Sequence, residues 1–278
     1  MKKIISLALV LVMAVSMFAL TACGEKTTKI GVQSGTTGQY FVDGDADWGF
    51  DGLAGYESKG YSNGGLAVAD MKNGAVEYVI IDKAPANQLA KVVSGIKVID
   101  VELTEEEYAF GVDKKQAELL ASINTILATK QTEIKAIIDK YATGEGIVGI
   151  TTAKKDLSKA DKQLVVATNA AFAPFEYTIG DKFAGIDVEI MKLVADTLDL
   201  ELVIEDMEFD AVVESVGKHG IDVAAAGLTV NEKRKESVNF STSYYNAAQV
   251  LIVPADETVF DGCTTAEAVL AKLDELNK

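Results

Sequence analysis

The chain is predicted to fold as an α/β protein with largely parallel sheets, on three observations. Short β-branched runs alternate with helical patterns almost throughout, the rhythm of repeated strand–helix units. Ile186, Ile190, Leu193, Val194 and Leu198 recur on one face of a helix, as in a helix lying on a sheet. Apolar residues make up 49% of the chain and there are only 3 prolines, so its 278 residues suit one large domain or two medium ones.

Taken in order, the first residues read as an export signal over residues 1–22. Lys2 and Lys3 form a positive start, and Ile4 to Leu20 is an apolar run broken only by Ser6 and Ser16. That run is short for a membrane span and stops at small residues, not at a basic patch. The stop, Leu20-Thr21-Ala22-Cys23, resembles the lipobox of bacterial lipoproteins. The resemblance implies a lipidated Cys23, a tether over residues 23–28, and attachment to the outer face of the bacterial cytoplasmic membrane. Acyl chains on one cysteine suffice for stable anchoring when there is more than one.

Strands are expected at Lys29–Gln33, Glu77–Ile81, Lys97–Glu102, Leu164–Ala167, Glu201–Glu205, Asp222–Ala226 and Gln249–Val253. A long helical stretch is expected over Lys114–Tyr141. Residues 143–162, with Gly144, Gly146, Gly149 and four lysines, read as a connector. Thr264-Thr265-Ala266-Glu267 is a capping-box pattern that opens a last helix to about Asn277.

Charge excludes several functions. The formal net charge is −16, and removal of residues 1–22 takes two lysines and no acid, leaving −18. So acidic a body has no footprint for nucleic acid. There are 2 cysteines and 1 histidine, and with Cys23 lipidated Cys263 has no partner, so neither a disulfide framework nor a metal cluster is expected. Asp43-Gly-Asp-Ala-Asp47 opens like a calcium loop, but Trp48 and Ala54 stand where that template needs Gly and Glu. It reads as a solvated acidic loop near a cleft mouth. His219 sits in a helix-ending pattern, and Cys263 reads as a small structural residue.

Several ordered motifs carry a resemblance. Leu164-Val-Val-Ala-Thr-Asn-Ala-Ala-Phe-Ala-Pro-Phe-Glu-Tyr177, Phe183-Ala-Gly-Ile-Asp-Val-Glu189, Ala225-Ala-Gly-Leu-Thr-Val-Asn-Glu-Lys-Arg-Lys235 and Val238-Asn-Phe-Ser-Thr-Ser-Tyr-Tyr245 are similar to the start of the polar amino-acid family of periplasmic-type solute-binding proteins. Lys29-Ile-Gly-Val-Gln-Ser-Gly-Thr-Thr-Gly38, Tyr78-Val-Ile-Ile-Asp82 and Tyr108-Ala-Phe-Gly-Val112 resemble its later part. The order is reversed, so the chain reads as a circular permutant whose old ends are joined through residues 143–162. A fusion of two halves from different proteins is the alternative. Permutation is tolerated where ends are exposed and close together.

The resemblance implies a type II periplasmic-binding-protein fold with two hinge crossings, near Phe110–Asp113 and near Val250–Ala255. One lobe would comprise residues 29–111 and 253–278, the other residues 112–252 including the connector. It implies a monomer that binds a free α-amino acid in the cleft and hands it to the membrane permease of an ABC importer, with no cofactor and no catalysis. Arg234 would fork onto the α-carboxylate with Thr229, Gly227 and Thr37; Asp82 would take the α-ammonium. Phe172 and Phe209 would wall the ligand side chain. Taken alone, Arg234 is a solvated arginine in a basic run, and Asp82 a helix cap.

Asn169, Gln33 and Ile81 would meet the side-chain end. None is charged, which favours a neutral ligand, although a Glu176 turned inward would reverse that. Two other functions share the fold. A dehydratase-like enzyme would need a general acid, for which the sequence offers only Asp82 and no histidine. A sensor module would pass its signal to a separate receptor.

Overall fold

A computed structural model describes residues 27–277, so Cys23 and the leader lie outside the described residues. Two five-stranded sheets organise the chain. The first is built from β1 (Thr28–Gln33), β2 (Tyr56–Tyr61), β3 (Tyr78–Asp82), β4 (Ile96–Ile99) and a late strand, β15 (Gln249–Pro254), in the order β2-β1-β3-β15-β4. Between these strands run α1 (Thr37–Asp43), α2 (Gly64–Lys72) and α3 (Lys83–Val92). β3 is buried along its whole length, as a central strand covered on both faces must be. β2, on the edge, carries the polar Glu57, Ser58 and Lys59.

The chain then leaves this sheet through β5 (Glu106–Tyr108) and enters the second with β6 (Gly111–Asp113). Next come α4 (Ala117–Thr129) and α5 (Gln131–Thr143), then β7 (Gln163–Thr168) and the small meander β8 (Ala171–Phe172), β9 (Glu176–Ile179) and β10 (Lys182–Ala184). They are followed by α6 (Ile186–Thr197), β11 (Glu201–Asp206), α7 (Phe209–Ser215), β12 (Val223–Ala224), α8 (Glu232–Lys235) and β13 (Val238–Phe240). The second sheet has the order β11-β7-β12-β6-β13. The chain returns through β14 (Tyr245–Ala247), fills the first sheet with β15, and ends in α9 (Ala266–Leu276).

The two sheets follow one rule. β1 is parallel to β2 and β3, and β7 to β11 and β12, whereas β15 and β6 run antiparallel to both of their neighbours. In each sheet the strand that arrives from the other sheet is therefore the one that opposes the rest. The expectation of largely parallel sheets holds in this sense. β5 and β14, the two crossings, pair with each other antiparallel, Tyr108 opposite Tyr245. They form a two-stranded ribbon between the lobes.

Helices cover both faces of each sheet. α1 and α9 bring Phe41, Val42, Val269 and Leu273 onto Ile30, Val32, Ile80 and Leu251. Across the second sheet, Ile186, Ile190 and Val194 of α6 pack in one core with Ile123 and Ile126 of α4 and with Leu164 and Val166. That core continues through Tyr108, Phe110, Phe172 and Phe175 to Val79 and Ile81, so apolar packing crosses from one sheet to the other.

Four expectations need correction. The second crossing precedes Gln249, because β15 pairs along its length with β3 and β4; the limit drawn at residues 252/253 would cut that ladder. The helix expected over Lys114–Tyr141 is two helices, with Lys130 out of helical geometry at φ −109° and ψ 30°. Ser122, Thr125 and Thr129 bond back to the carbonyls four residues earlier, a habit that bends helices. The cap of α9 is Thr265, whose side chain accepts from the Ala268 N–H, one residue later than the capping box would put it. Residues 143–162 are not a free linker: Ile150 bridges to Phe183 and Ala153 to Val203, before a 3₁₀ turn at Leu157–Lys162.

Candidate ligand-binding cleft

The residues singled out in the sequence converge between the sheets. Gln33, Thr37, Asp82, Phe172, Phe209, Gly227, Thr229 and Arg234, joined by Thr36, line one cleft whose residual void is about 10 Å³. Asn169 closes it by accepting a hydrogen bond from Gln33 Nε2 at 3.0 Å across the lobes. Most members sit at the end of a strand or the start of a helix: Gln33 ends β1, Thr37 opens α1, Asp82 ends β3, Asn169 follows β7 and Phe209 opens α7, while Gly227 and Thr229 lie in the loop after β12. Such placement at strand ends is where open α/β sheets bind ligands.

Arg234 is held by its own short helix, whose cap Asn231 accepts from the Arg234 N–H at 2.8 Å. The side chain then turns inward and is buried. Nη1 donates to the Thr229 carbonyl at 2.9 Å, and Nη2 reaches across to the Gly35 carbonyl at 3.2 Å. Its Cζ lies 5.0 Å from the Trp48 ring centroid and 5.3 Å from that of Phe209. Burial lowers its pKa to about 10, still far above neutrality. Among the described residues Arg234 has no ion-pair partner, so it is a buried cation satisfied by carbonyls and aromatic faces.

Asp82 stands across from it. Although it occupies the cap position of α3, its side chain makes no capping bond. It accepts instead from the Tyr108 hydroxyl in a very short contact. Burial, and then the charge of Glu106, raise its pKa to about 7. Gly227 has φ +54°, and a Cβ there would lie 2.9 Å from Phe172 and 3.1 Å from Tyr108, so only glycine lets the backbone approach this wall. Its N–H donates to Asp187 Oδ2 at 2.9 Å, and burial raises the Asp187 carboxyl to about 7.

Two further acids are buried here: Glu106, which no motif singles out, and Glu176, whose inward turn the sequence leaves open. Glu106 accepts from both Thr37 and Thr229 at 2.7 and 2.6 Å. Within Glu105-Glu106-Glu107 it looks like one of three solvated charges. Strand alternation was the available signal, since it puts Glu106 on the same face as Tyr108 and Phe110. Glu176, opposite Phe172 in the β8–β9 ladder, is fully buried, with neither carboxylate oxygen hydrogen-bonded among the described residues. Burial, then the nearby charges of Asp187 and Asp82, push its pKa well above the usual carboxylate range. Two acids besides Asp82 therefore lie directly behind the cleft lining, Glu106 on Thr37 and Thr229 and Glu176 opposite Phe172. Trp48, in the loop expected to be solvated, instead stacks on Tyr40 at 4.3 Å and shields Arg234. A separate apolar cavity of about 250 Å³, lined by Ile81, Leu89, Tyr141, Pro174 and Tyr177, shares Phe172 with the cleft.

Among the described residues no group of three or more potential metal ligands is found, and no helix is long and apolar enough to cross a membrane. Residues 164–278 match the sequence profile of the bacterial extracellular solute-binding proteins, family 3. The arginine-binding extracellular protein ArtP of Bacillus subtilis (strain 168) is 33% identical over 98 residues, covering 35% of this chain and 38% of the relative. The L-arginine-binding protein of Pseudomonas aeruginosa is 31% identical over 88 residues, covering 31% and 34%. Little more than a third of the length of these curated relatives is thus spanned. Among solved structures, the arginine-bound form of domain 1 from TmArgBP is 30% identical, covering 44% of this chain and 99% of that one, with a TM-score of 0.30. By the profile match and these relatives, residues 164–278 are similar to the bacterial extracellular solute-binding proteins of family 3.

Proposed function

We propose that the chain is an extracytoplasmic receptor that closes its two lobes on a free α-amino acid and delivers it to the permease of an ABC importer, acting as a monomer and without catalysis. The carrying observation is the pairing of charges in the cleft: Arg234 is a buried cation with no ion-pair partner among the described residues, and Asp82 is a buried acid facing it from the other lobe. A zwitterion satisfies both at once, a carboxylate on the guanidinium fork and an ammonium on Asp82. Either charge buried alone costs several kcal/mol. The void of about 10 Å³ is too small for any amino acid, so the lobes must part about the β5–β14 ribbon for entry.

For the ligand side chain, the neutral preference drawn from Asn169, Gln33 and Ile81 gives way to a cationic or donor-bearing one. Glu176, buried beside Phe172 with no hydrogen-bond partner among the described residues, supports that reading, since a cation would supply the missing bonds. Two of the relatives are arginine-binding proteins, which points the same way. The reversed motif order, and a family match that begins only at Leu164, support circular permutation. A lipid anchor on Cys23 completes the proposal.

A thermal-shift screen of residues 25–278 against the common amino acids tests it. A true ligand at a thousandfold excess over Kd stabilises by about 4 kcal/mol and stands out. Arg234→Ala and Asp82→Ala should each abolish that shift while preserving the circular dichroism spectrum. Normal binding by either variant would refute the site. Mass spectrometry of a membrane fraction should find an acylated Cys23, and an unmodified secreted chain would refute the anchor.

A further inference from the structure

Glu106 stands where the ligand's own carboxylate is expected. Its Oε2 accepts from Thr37 Oγ1 at 2.7 Å and Thr229 Oγ1 at 2.6 Å; its Oε1 accepts from Thr104 Oγ1 at 2.7 Å and Gln249 Nε2 at 2.9 Å. With four donors on one carboxylate, the charge is solvated entirely by protein groups, and the residue is only 8% exposed. The donors come from different bodies. Thr37 belongs to the helix after β1, Thr229 to the loop after β12, and Gln249 to β15 just past the second crossing. Glu106 itself lies on β5, the first crossing. One side chain thus ties both lobes to the hinge ribbon.

A hydroxyl has one proton to donate, so Thr37 and Thr229 cannot give theirs to two carboxylates at once. Two carboxylates sharing these donors at close range would also repel each other in a poorly screened site. We infer that Glu106 is an internal substitute for the ligand carboxylate, which latches the cleft shut and must leave Thr37 and Thr229 before an amino acid is gripped. The inference rests on the amino-acid reading of the cleft. Its geometry accounts for the nearly vanished void between the lobes. Thr104 and Gln249, both bound to the other oxygen, keep that oxygen satisfied while the carboxylate swings away. Apparent affinity is then reduced by the fraction of molecules that remain latched.

Glu106→Gln preserves size, but its amide nitrogen cannot accept from the hydroxyls. Small-angle scattering on the ligand-free protein and titration calorimetry with arginine, lysine, histidine and glutamine provide the two readouts. The variant should have a larger ligand-free radius of gyration than the parent, and should bind its amino acid about tenfold more tightly. An unchanged radius together with equal or weaker affinity overturns the latch. Should Glu106→Gln fail to fold by circular dichroism, Glu106→Asp takes its place, being too short to hold both threonines and Gln249 together. If neither parent nor variant binds any amino acid, the receptor reading fails. The latch is then decided by scattering alone: expansion of the variant upholds it, and an unchanged radius overturns it.

Discussion

Trp48 lies over the guanidinium of Arg234 from the opposite lobe, and it is the 1 tryptophan of the chain. A cation over a desolvated indole gains roughly 1 kcal/mol, so Trp48→Ala should weaken amino-acid binding about fivefold, measured by titration calorimetry. Unaltered affinity would mean that the ring only covers the cleft. Asp82 makes a sharper prediction. Burial and the charge of Glu106 hold its pKa at about 7, so below that pH the free protein carries a proton there. An ammonium needs the carboxylate, and binding must expel that proton. The dissociation constant should therefore rise about tenfold per pH unit as the pH falls below 7. Tyr108 donates to Asp82 and lowers its pKa, so Tyr108→Phe should move this break to higher pH. A flat profile from pH 5 to 8 would remove Asp82 from the ammonium site.

The β8–β9 meander and α6 meet at a single glycine. Gly185 has φ +135°, and a Cβ there would lie 2.0 Å from the Phe175 carbonyl oxygen and 2.4 Å from its carbon. Both are backbone atoms of the segment that carries Phe172 and Glu176, so no rotamer change relieves the clash. Gly185→Ala should cost roughly 3 kcal/mol in urea unfolding, and a loss under 1 kcal/mol would show that the segment yields. Elements of this kind also mark how far the sequence could be read. β3, β7 and β15 were legible because buried strands appear as nearly unbroken apolar runs, and β1 because Ile30 and Val32 alternate along it. α6 was legible because Ile186, Ile190 and Val194, spaced at helical intervals, face one core together with Met191 and Ala195. β5, β6, β8 and β14 were not, since strands of two or three residues owe their geometry to partners far away in the chain. The same limit explains the cleft. Arg234, Asp82 and the threonines were found from motifs, whereas Glu106 and Glu176 depend on burial that only the assembled lobes create.

Across the whole molecule, buried acids set the response to pH. Asp82 and Asp187 are raised to about 7, and Glu176 and Asp222 are also raised, in each case chiefly by burial. For such a group the folded protein keeps a proton that the unfolded chain has already lost. Between the unfolded carboxylate range near pH 4 and the folded value near 7, folding therefore takes up protons, and stability falls as pH rises. Each fully shifted group contributes a slope of about 1.4 kcal/mol per pH unit within that window. Exposed carboxylates with lowered values, such as Asp70 and Asp156, act in the opposite sense, but below pH 4. The net charge of −16 adds self-repulsion that protonation relieves. The ligand-free protein should accordingly melt at a higher temperature at pH 5 than at pH 8, by calorimetry in matched ionic strength. A bound amino acid should flatten the difference, because its ammonium stabilises ionised Asp82 and removes that group from the balance. Melting that falls steadily from pH 7 to pH 5 without ligand would mean that the buried acids stay ionised in the fold, and the cleft would then carry its charges without the proton held in reserve.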